Sequence, residues 1–193
     1  MQIAPYKLIL GSKSPRRQEL LKGMALDFEI RTRETEEIYP DELDPRQVPA
    51  FLAELKANAL ADTLQADEVL ITSDTVVLLD GEILGKPTDH AHATEMLTKQ
   101  SGRMHEVITA VHLKNPVFDR NFSVTTKVFF KELTPAEIEF YIANYQPFDK
   151  AGAYGIQEWI GYIGIAHIEG SFFNVVGLPV AELYAALQEL PAR

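Results

Sequence analysis

Apolar residues fall into short runs along this chain, and their spacing predicts most of its elements. Residues 6–10 form a compact apolar stretch that reads as a strand and leads into Gly11-Ser12-Lys13-Ser14-Pro15. Ser14 before Pro15 predicts a helix start, a capping hydroxyl followed by a ring whose φ is already helical. Leu20, Leu21 and Met24 give that helix a short apolar face, and Gly23 is its expected stop. A second strand is predicted at about 27–32, followed by an acidic segment at 34–44. From 45 to about 64, Val48, Leu52, Leu55 and Ala59 recur at helical spacing. Residues 69–79, rich in leucine and β-branched side chains, predict a buried strand, which Asp80-Gly81 turns into a hairpin with 82–84.

The second half continues with a helix at 88–100 and strands at 106–113 and 122–130. Thr134-Pro135-Ala136-Glu137 is a capping box with proline at the first helical position, opening a helix to about 144. Residues 151–176 are glycine-rich and read as strand-like, and 179–190 as an amphipathic helix. There is no internal repeat, low-complexity tract or linker. Strands alternate with helices early and pair as hairpins later, so the fold class is α/β with a mixed sheet, its strand order left open by the pattern.

Composition narrows the class. A chain of 193 residues with 46% hydrophobic and 24% charged residues suits one large domain or two closely packed lobes. No stretch nears the roughly 18 apolar residues of a spanning helix. The apolar run near the N-terminus is too short, and lacks the basic flank, for a signal peptide. With no cysteine, disulfides, thiolate catalysis and cysteine-type zinc sites are excluded, and a cytoplasmic protein is expected. A net charge of −10 opposes a nucleic-acid-coating role, which needs a broad basic surface. A small polyanion needs only a few local cations.

Such cations occur in Gly11-Ser12-Lys13-Ser14-Pro15-Arg16-Arg17. A strand, a small-residue loop and a helix N-terminus present backbone N–H groups to an anion, with hydroxyls from Ser12 and Ser14 and guanidinium forks from Arg16 and Arg17. An ordinary capped surface helix would look the same, and no Walker loop is present. In Thr72-Ser73-Asp74-Thr75, an aspartate interrupts an apolar strand run; it makes sense at a strand's end facing a metal or a water, or as a turn residue. Lys86, in Gly85-Lys86-Pro87, is held by a rigid neighbour and could meet a phosphate or only solvent. Among Glu34, Glu36 and Glu37, one carboxylate could share a metal with Asp74. Lys56 carries no signal of its own, and the five histidines show no ligand spacing. In Asp149-Lys150-Ala151-Gly152-Ala153-Tyr154-Gly155-Ile156-Gln157, small residues allow close backbone approach, and the Gln157 amide has the donor and acceptor to read a uracil or thymine edge.

Together these segments resemble the Maf family of nucleotide pyrophosphatases nearly end to end. The likeness is carried by Ser12-x-Ser14-Pro15-Arg16-Arg17-x-Glu19-Leu20-Leu21, Leu52-Ala53-x-x-Lys56-Ala57, Ser73-Asp74-Thr75-Val76 and Gly85-Lys86-Pro87. It continues in Ser101-Gly102-Arg103-x-His105-x-Val107-x-Thr109-x-Val111, the segment 149–157 and Asn174-Val175-Val176-Gly177-Leu178-Pro179. The resemblance implies a single Maf-like domain over 1–193, with a two-lobed mixed sheet flanked by helices, similar to inosine triphosphate pyrophosphatases, and an active cleft between lobes. It implies a hydrolase acting on the acid anhydride of nucleoside triphosphates, releasing monophosphate and pyrophosphate with a divalent cation, Mg²⁺ or Mn²⁺. Asp74 matches the family's catalytic base. Arg16, Thr75 and Gln157 match the positions marking the dTTP/UTP branch. Glu37 (or Glu36), Lys56 and Lys86 match the remaining polar site residues, with Glu37 and Asp74 as expected metal ligands and Ser12 and Arg17 as phosphate contacts. Glu158 follows Gln157 where the pattern has glycine. The expected partner is the nucleotide itself, with no nucleic acid and no membrane, and a homodimer is possible. The other reading is a non-catalytic regulator of septum formation that binds a protein partner.

Overall fold

The computed structural model describes residues 6–191; the terminal residues of the expected 1–193 domain, including the first part of the segment read for a signal peptide, lie outside them. The strands are β1 (Lys7–Leu10), β2 (Phe28–Ile30), β3 (Glu68–Leu79), β4 (Glu82–Leu84), β5 (Met104–Asn115), β6 (Phe118–Phe130) and β7 (Ile165–Glu169). The helices are α1 (Pro15–Gly23), α2 (Val48–Leu60), α3 (His90–Gln100), α4 (Pro135–Tyr145), α5 (Trp159–Gly164), α6 (Phe172–Val176) and α7 (Val180–Gln188). The seven strands form one mixed sheet in the order β2-β1-β3-β5-β6-β7, with β4 paired to β3. β1 runs parallel to β2 and to the first part of β3, where Leu10 lies opposite Ile71. The distal part of β3 pairs antiparallel with β4, Val77 opposite Leu84.

The chain groups into two compact units. The first holds Met1–Asp74, Thr109–Val124 and Gly177–Arg193; the second holds Thr75–Ile108 and Thr125–Val176. The first unit's core gathers Leu8, Leu10 and Leu21 with Ile71, Val111, Leu113, Leu183 and Leu187. The second unit's core is built on Leu79, Leu97, Val128 and Phe130, with Tyr141, Ile142, Tyr154 and Ile160. Each is a continuous apolar interior of the kind that holds an element where backbone propensity alone is marginal.

Most expected elements form, with instructive differences. The Asp80-Gly81 turn has positive φ at both residues (50° and 87°), as a tight two-residue hairpin demands. The capping box closes both ways: the Glu137 N–H donates to Thr134 Oγ1 at 3.3 Å, and the Thr134 N–H donates to Glu137 Oε2 at 2.7 Å. Ser14 has the extended backbone of an N-cap but does not cap with its side chain; its own N–H donates to Ser12 Oγ at 3.2 Å. Ala25, not glycine, takes the left-handed position (φ 56°) after α1. Residues 151–176 are not mainly strand: a 3₁₀ turn at Ala151–Ala153, α5 and α6 occupy most of them, leaving only β7 extended. The glycines there serve close packing. A Cβ at Gly161 would lie 1.7 Å from the Ile156 carbonyl oxygen, and one at Gly152 would lie 2.9 Å from a Val77 methyl.

Candidate active site

The first unit assembles its polar residues where β1 ends. β1 stops at Leu10, opposite Ile71, while β3 continues to Leu79. Asp74 is therefore inside a continuous twelve-residue strand rather than at its end. Its freedom to meet other groups comes from the shorter neighbour, which leaves β3 three residues earlier and turns away as the Gly11–Ser14 loop. Gly11 sits where that exit is tightest: a Cβ there would lie 2.6 Å from Thr72 Cγ2. The Thr72 hydroxyl donates to the Ala53 carbonyl at 2.6 Å and so ties β3 to α2. Asp74, two residues on, shares that face of the strand.

Opposite it, α2 presents Lys56. Leu52, Ala53, Ala57 and Leu60 are among the buried positions of α2, and Lys56 falls within that stripe, with only 17% of its side chain exposed. Its ammonium donates to Asp74 Oδ1 at 2.6 Å and lies 2.8 Å from Glu37 Oε1. Glu37 comes from the irregular segment after β2 and keeps half its side chain in solvent. Glu37, rather than Glu36, is thus the carboxylate that meets Lys56.

From the other direction, α1 supplies Arg17. Its Nε donates to the Gly177 carbonyl at 2.9 Å and its Nη1 to Ser12 Oγ at 3.4 Å. Burial works against its positive charge, while Asp74 and Glu37 favour it and Arg16 opposes it. Burial also pushes the Asp74 carboxyl above its ordinary pKa; Lys56 and Arg17 pull it back, and Glu37 adds to the rise. The result is a mostly enclosed carboxylate between two cations, with a hydroxyl, a third cation and a second carboxylate close by. Ser12, Arg16, Arg17, Glu37, Lys56 and Asp74 are accordingly brought together.

The remaining expected residues belong to the second unit. Thr75 is its first residue. Lys86 is exposed beside buried Pro87, after a Gly85 carbonyl that accepts from the Gly152 N–H at 3.0 Å. Gln157 is half-buried, and its Oε1 has no hydrogen-bond partner among the described residues. Next to it lies a charged group that the sequence reading did not single out: Lys150, held between Asp149 (2.7 Å) and Glu158 (3.2 Å). A lysine between an aspartate and a run of small residues, followed eight positions later by a glutamate, is its only trace in the sequence.

Among the described residues no three histidine, cysteine, aspartate or glutamate side chains cluster as a ready metal cage. The donor set nevertheless suits a hard divalent cation of another kind. Glu37 and Asp74 both meet Lys56, and since Mg²⁺ is held by one or two carboxylates completed by water and phosphate oxygens, these two are the residues whose chemistry fits such an ion. No helix among the described residues is long and apolar enough to cross a membrane.

The mixed sheet with its flanking helices gives the chain a Ham1-like α/β fold. The Ham1 protein of Staphylococcus aureus superposes with a TM-score of 0.52 at 16% identity, over 93% of this chain and 99% of that one. At the level of sequence the chain belongs to the Maf-like protein family, whose model matches residues 7–190. It is 50% identical over 186 residues, 96% of either chain, to a Phocaeicola vulgatus protein named dTTP/UTP pyrophosphatase. A Flavobacterium johnsoniae protein of the same name is 48% identical over 98% of this chain and 97% of its own.

Proposed function

We propose that this chain hydrolyses nucleoside triphosphates, dTTP and UTP foremost, to the monophosphate and pyrophosphate in the cytoplasm. The observation that carries this reading is the enclosed Asp74 carboxylate, clasped by Lys56 beside Arg17 and Glu37. It occurs in a chain half identical to proteins bearing that activity's name.

The chemistry is attack of water on the α-phosphorus. A bond forms from the water oxygen to phosphorus, the bond to the bridging oxygen breaks, and pyrophosphate leaves with that electron pair. Asp74 takes the proton of the attacking water, its distance from bulk solvent favouring a base stronger than a free aspartate. Arg16, Arg17 and the Ser12 hydroxyl grip phosphate oxygens, Arg through its planar fork. Lys56 neutralises charge that builds in the transition state, so that catalysis is chiefly positioning and electrostatics. Asp74 and Glu37 are the residues that would hold a divalent cation, Mg²⁺ or Mn²⁺; when bound it neutralises phosphate charge and acidifies water. Lys86 is assigned to phosphate, and Thr75 and Gln157 to the pyrimidine, on the family resemblance.

The test is pyrophosphate release by the purified chain with Mg²⁺ from dTTP, UTP, CTP, GTP and 7-methyl-GTP. Fastest turnover is expected with dTTP and UTP; turnover of 7-methyl-GTP alone would refute the substrate assignment. Asp74→Asn preserves the shape of the side chain and is expected to lower kcat by about a thousandfold or more. Native turnover in that variant would remove Asp74 from the chemistry.

A further inference from the structure

Gln157 carries an oddity that its surroundings explain. Its Oε1 is buried without a hydrogen-bond partner among the described residues, although nearly all buried carbonyl oxygens find a donor. The side chain folds back over Gly155, where an added Cβ would lie 3.1 Å from Gln157 Nε2 and 2.9 Å from Glu158 Cδ. Any residue but glycine at 155 would thus displace both side chains. The Glu158 N–H donates to the Gly155 carbonyl at 3.0 Å, so Gln157 is the second of two residues spanned by a tight turn.

Glu158 then reaches back into the unit. Its Oε1 lies 3.2 Å from Lys150 Nζ, and its Oε2 accepts from the Tyr141 hydroxyl. That hydroxyl in turn accepts from the Gly155 N–H at 3.0 Å. Tyr141 is fully buried in α4 and Lys150 is nearly so. One phenol therefore pins both ends of the turn that carries Gln157, and a buried ammonium pins the glutamate. Burial and the neighbouring carboxylate push the phenol's pKa up, so it remains the donor in that contact.

We propose that Glu158, clasped by Lys150 and Tyr141, is a positioning residue that aims the Gln157 carbonyl at the N3–H of a uracil or thymine ring. This rests on the functional reading above and deepens it. The chemistry is selective in one direction. Uracil and thymine offer an N–H at N3, which would satisfy the orphaned oxygen, whereas cytosine offers a lone pair there and leaves it unsatisfied. The clasp fixes the turn from which the Gln157 side chain springs, so loosening it should blunt the discrimination against cytosine.

The experiment compares kcat/KM for UTP and CTP in the wild type, Glu158→Ala, Tyr141→Phe, Gln157→Ala and the double variant of 157 and 158, with thermal melting as a check on folding. The wild type is expected to prefer UTP. Glu158→Ala is expected to cut that preference by about tenfold, chiefly through a higher KM for UTP, and Tyr141→Phe to shift it the same way while keeping the ring's packing. In the Gln157→Ala background the Glu158 substitution should change the ratio no further, since its effect runs through the amide. General loosening of the fold would lower both nucleotides together and leave the ratio alone. An unchanged ratio in both single variants, or full additivity with Gln157→Ala, overturns the positioning role while leaving the functional reading intact. A folded wild type that releases pyrophosphate from no nucleotide ends both.

Discussion

The start of β3 is anchored by Arg31 and Glu68, and replacing Glu68 with glutamine tests how firmly. The Arg31 guanidinium donates to both carboxylate oxygens, at 2.8 and 2.7 Å, and Nη1 also donates to the Thr63 carbonyl at 3.0 Å. The Gln65 N–H adds a further bond to Glu68 at 3.0 Å. The Glu68 side chain is 5% exposed and that of Arg31 27%, so solvent screens the pair little. The hydrogen bonds from Arg31 hold the Glu68 carboxyl down from 4.5 to about 2, against the opposing effect of burial. A folded-state pKa below the unfolded one means that the unfolded chain binds more protons between those values. The contribution is then complete above the unfolded pKa and is lost as pH falls through the folded one. At about 1.36 kcal/mol per unit, it is worth roughly 3 kcal/mol at pH 7 and about half that at pH 3. For a chain of this length, Glu68→Gln should lower the Tm by about 5–10 °C at pH 7. The gap between variant and wild type should narrow steadily below pH 4.5. Thermal melts followed by circular dichroism at pH 7 and pH 3 measure both quantities. A Tm within about 1 °C of wild type at pH 7, or a gap that does not change with pH, would refute the reasoning.

Three other outcomes follow from the same geometry. Gly11→Ala places a methyl against Thr72 Cγ2, and the threonine cannot rotate away without losing its bond to Ala53; a loss of about 1–3 kcal/mol in urea unfolding is expected. Lys56→Met removes the ammonium between Glu37 and Asp74, and kcat/KM for dTTP should fall by about a hundredfold or more in a pyrophosphate-release assay. Chelation with EDTA should abolish release and added Mg²⁺ restore it; full activity in excess chelator would remove the cation from the scheme.

The sequence disclosed the site unevenly, for physical reasons. Asp74 stands out because a carboxylate within an apolar run must have partners, yet those partners lie 18 residues away on α2 and 37 in an irregular segment. Periodicity marks Lys56 only when it is placed on the stripe of Leu52, Ala53, Ala57 and Leu60; read singly, it is one more helix lysine. Resemblance picked out Glu37 and its neighbour together, and coordinates alone separate them, since coil has no period to orient a side chain. The alternating α/β pattern gave the class and most of the elements. It failed at 151–176, where glycines that look like strand breaks serve helix-to-loop contacts too close for any side chain.

Because each compact unit is stitched from separated stretches, with boundaries inside β3, β5 and β6, no single cut yields a self-contained half. A stop codon after Asp74 would strip the first unit of Leu183 and Leu187 from α7 and of Val111 from β5. It would leave the charged residues of positions 12–74 present but without the interior that aligns them. Expression of fragments, or fusion of one portion to a reporter, should therefore give insoluble or inactive products unless the complementary pieces are supplied together.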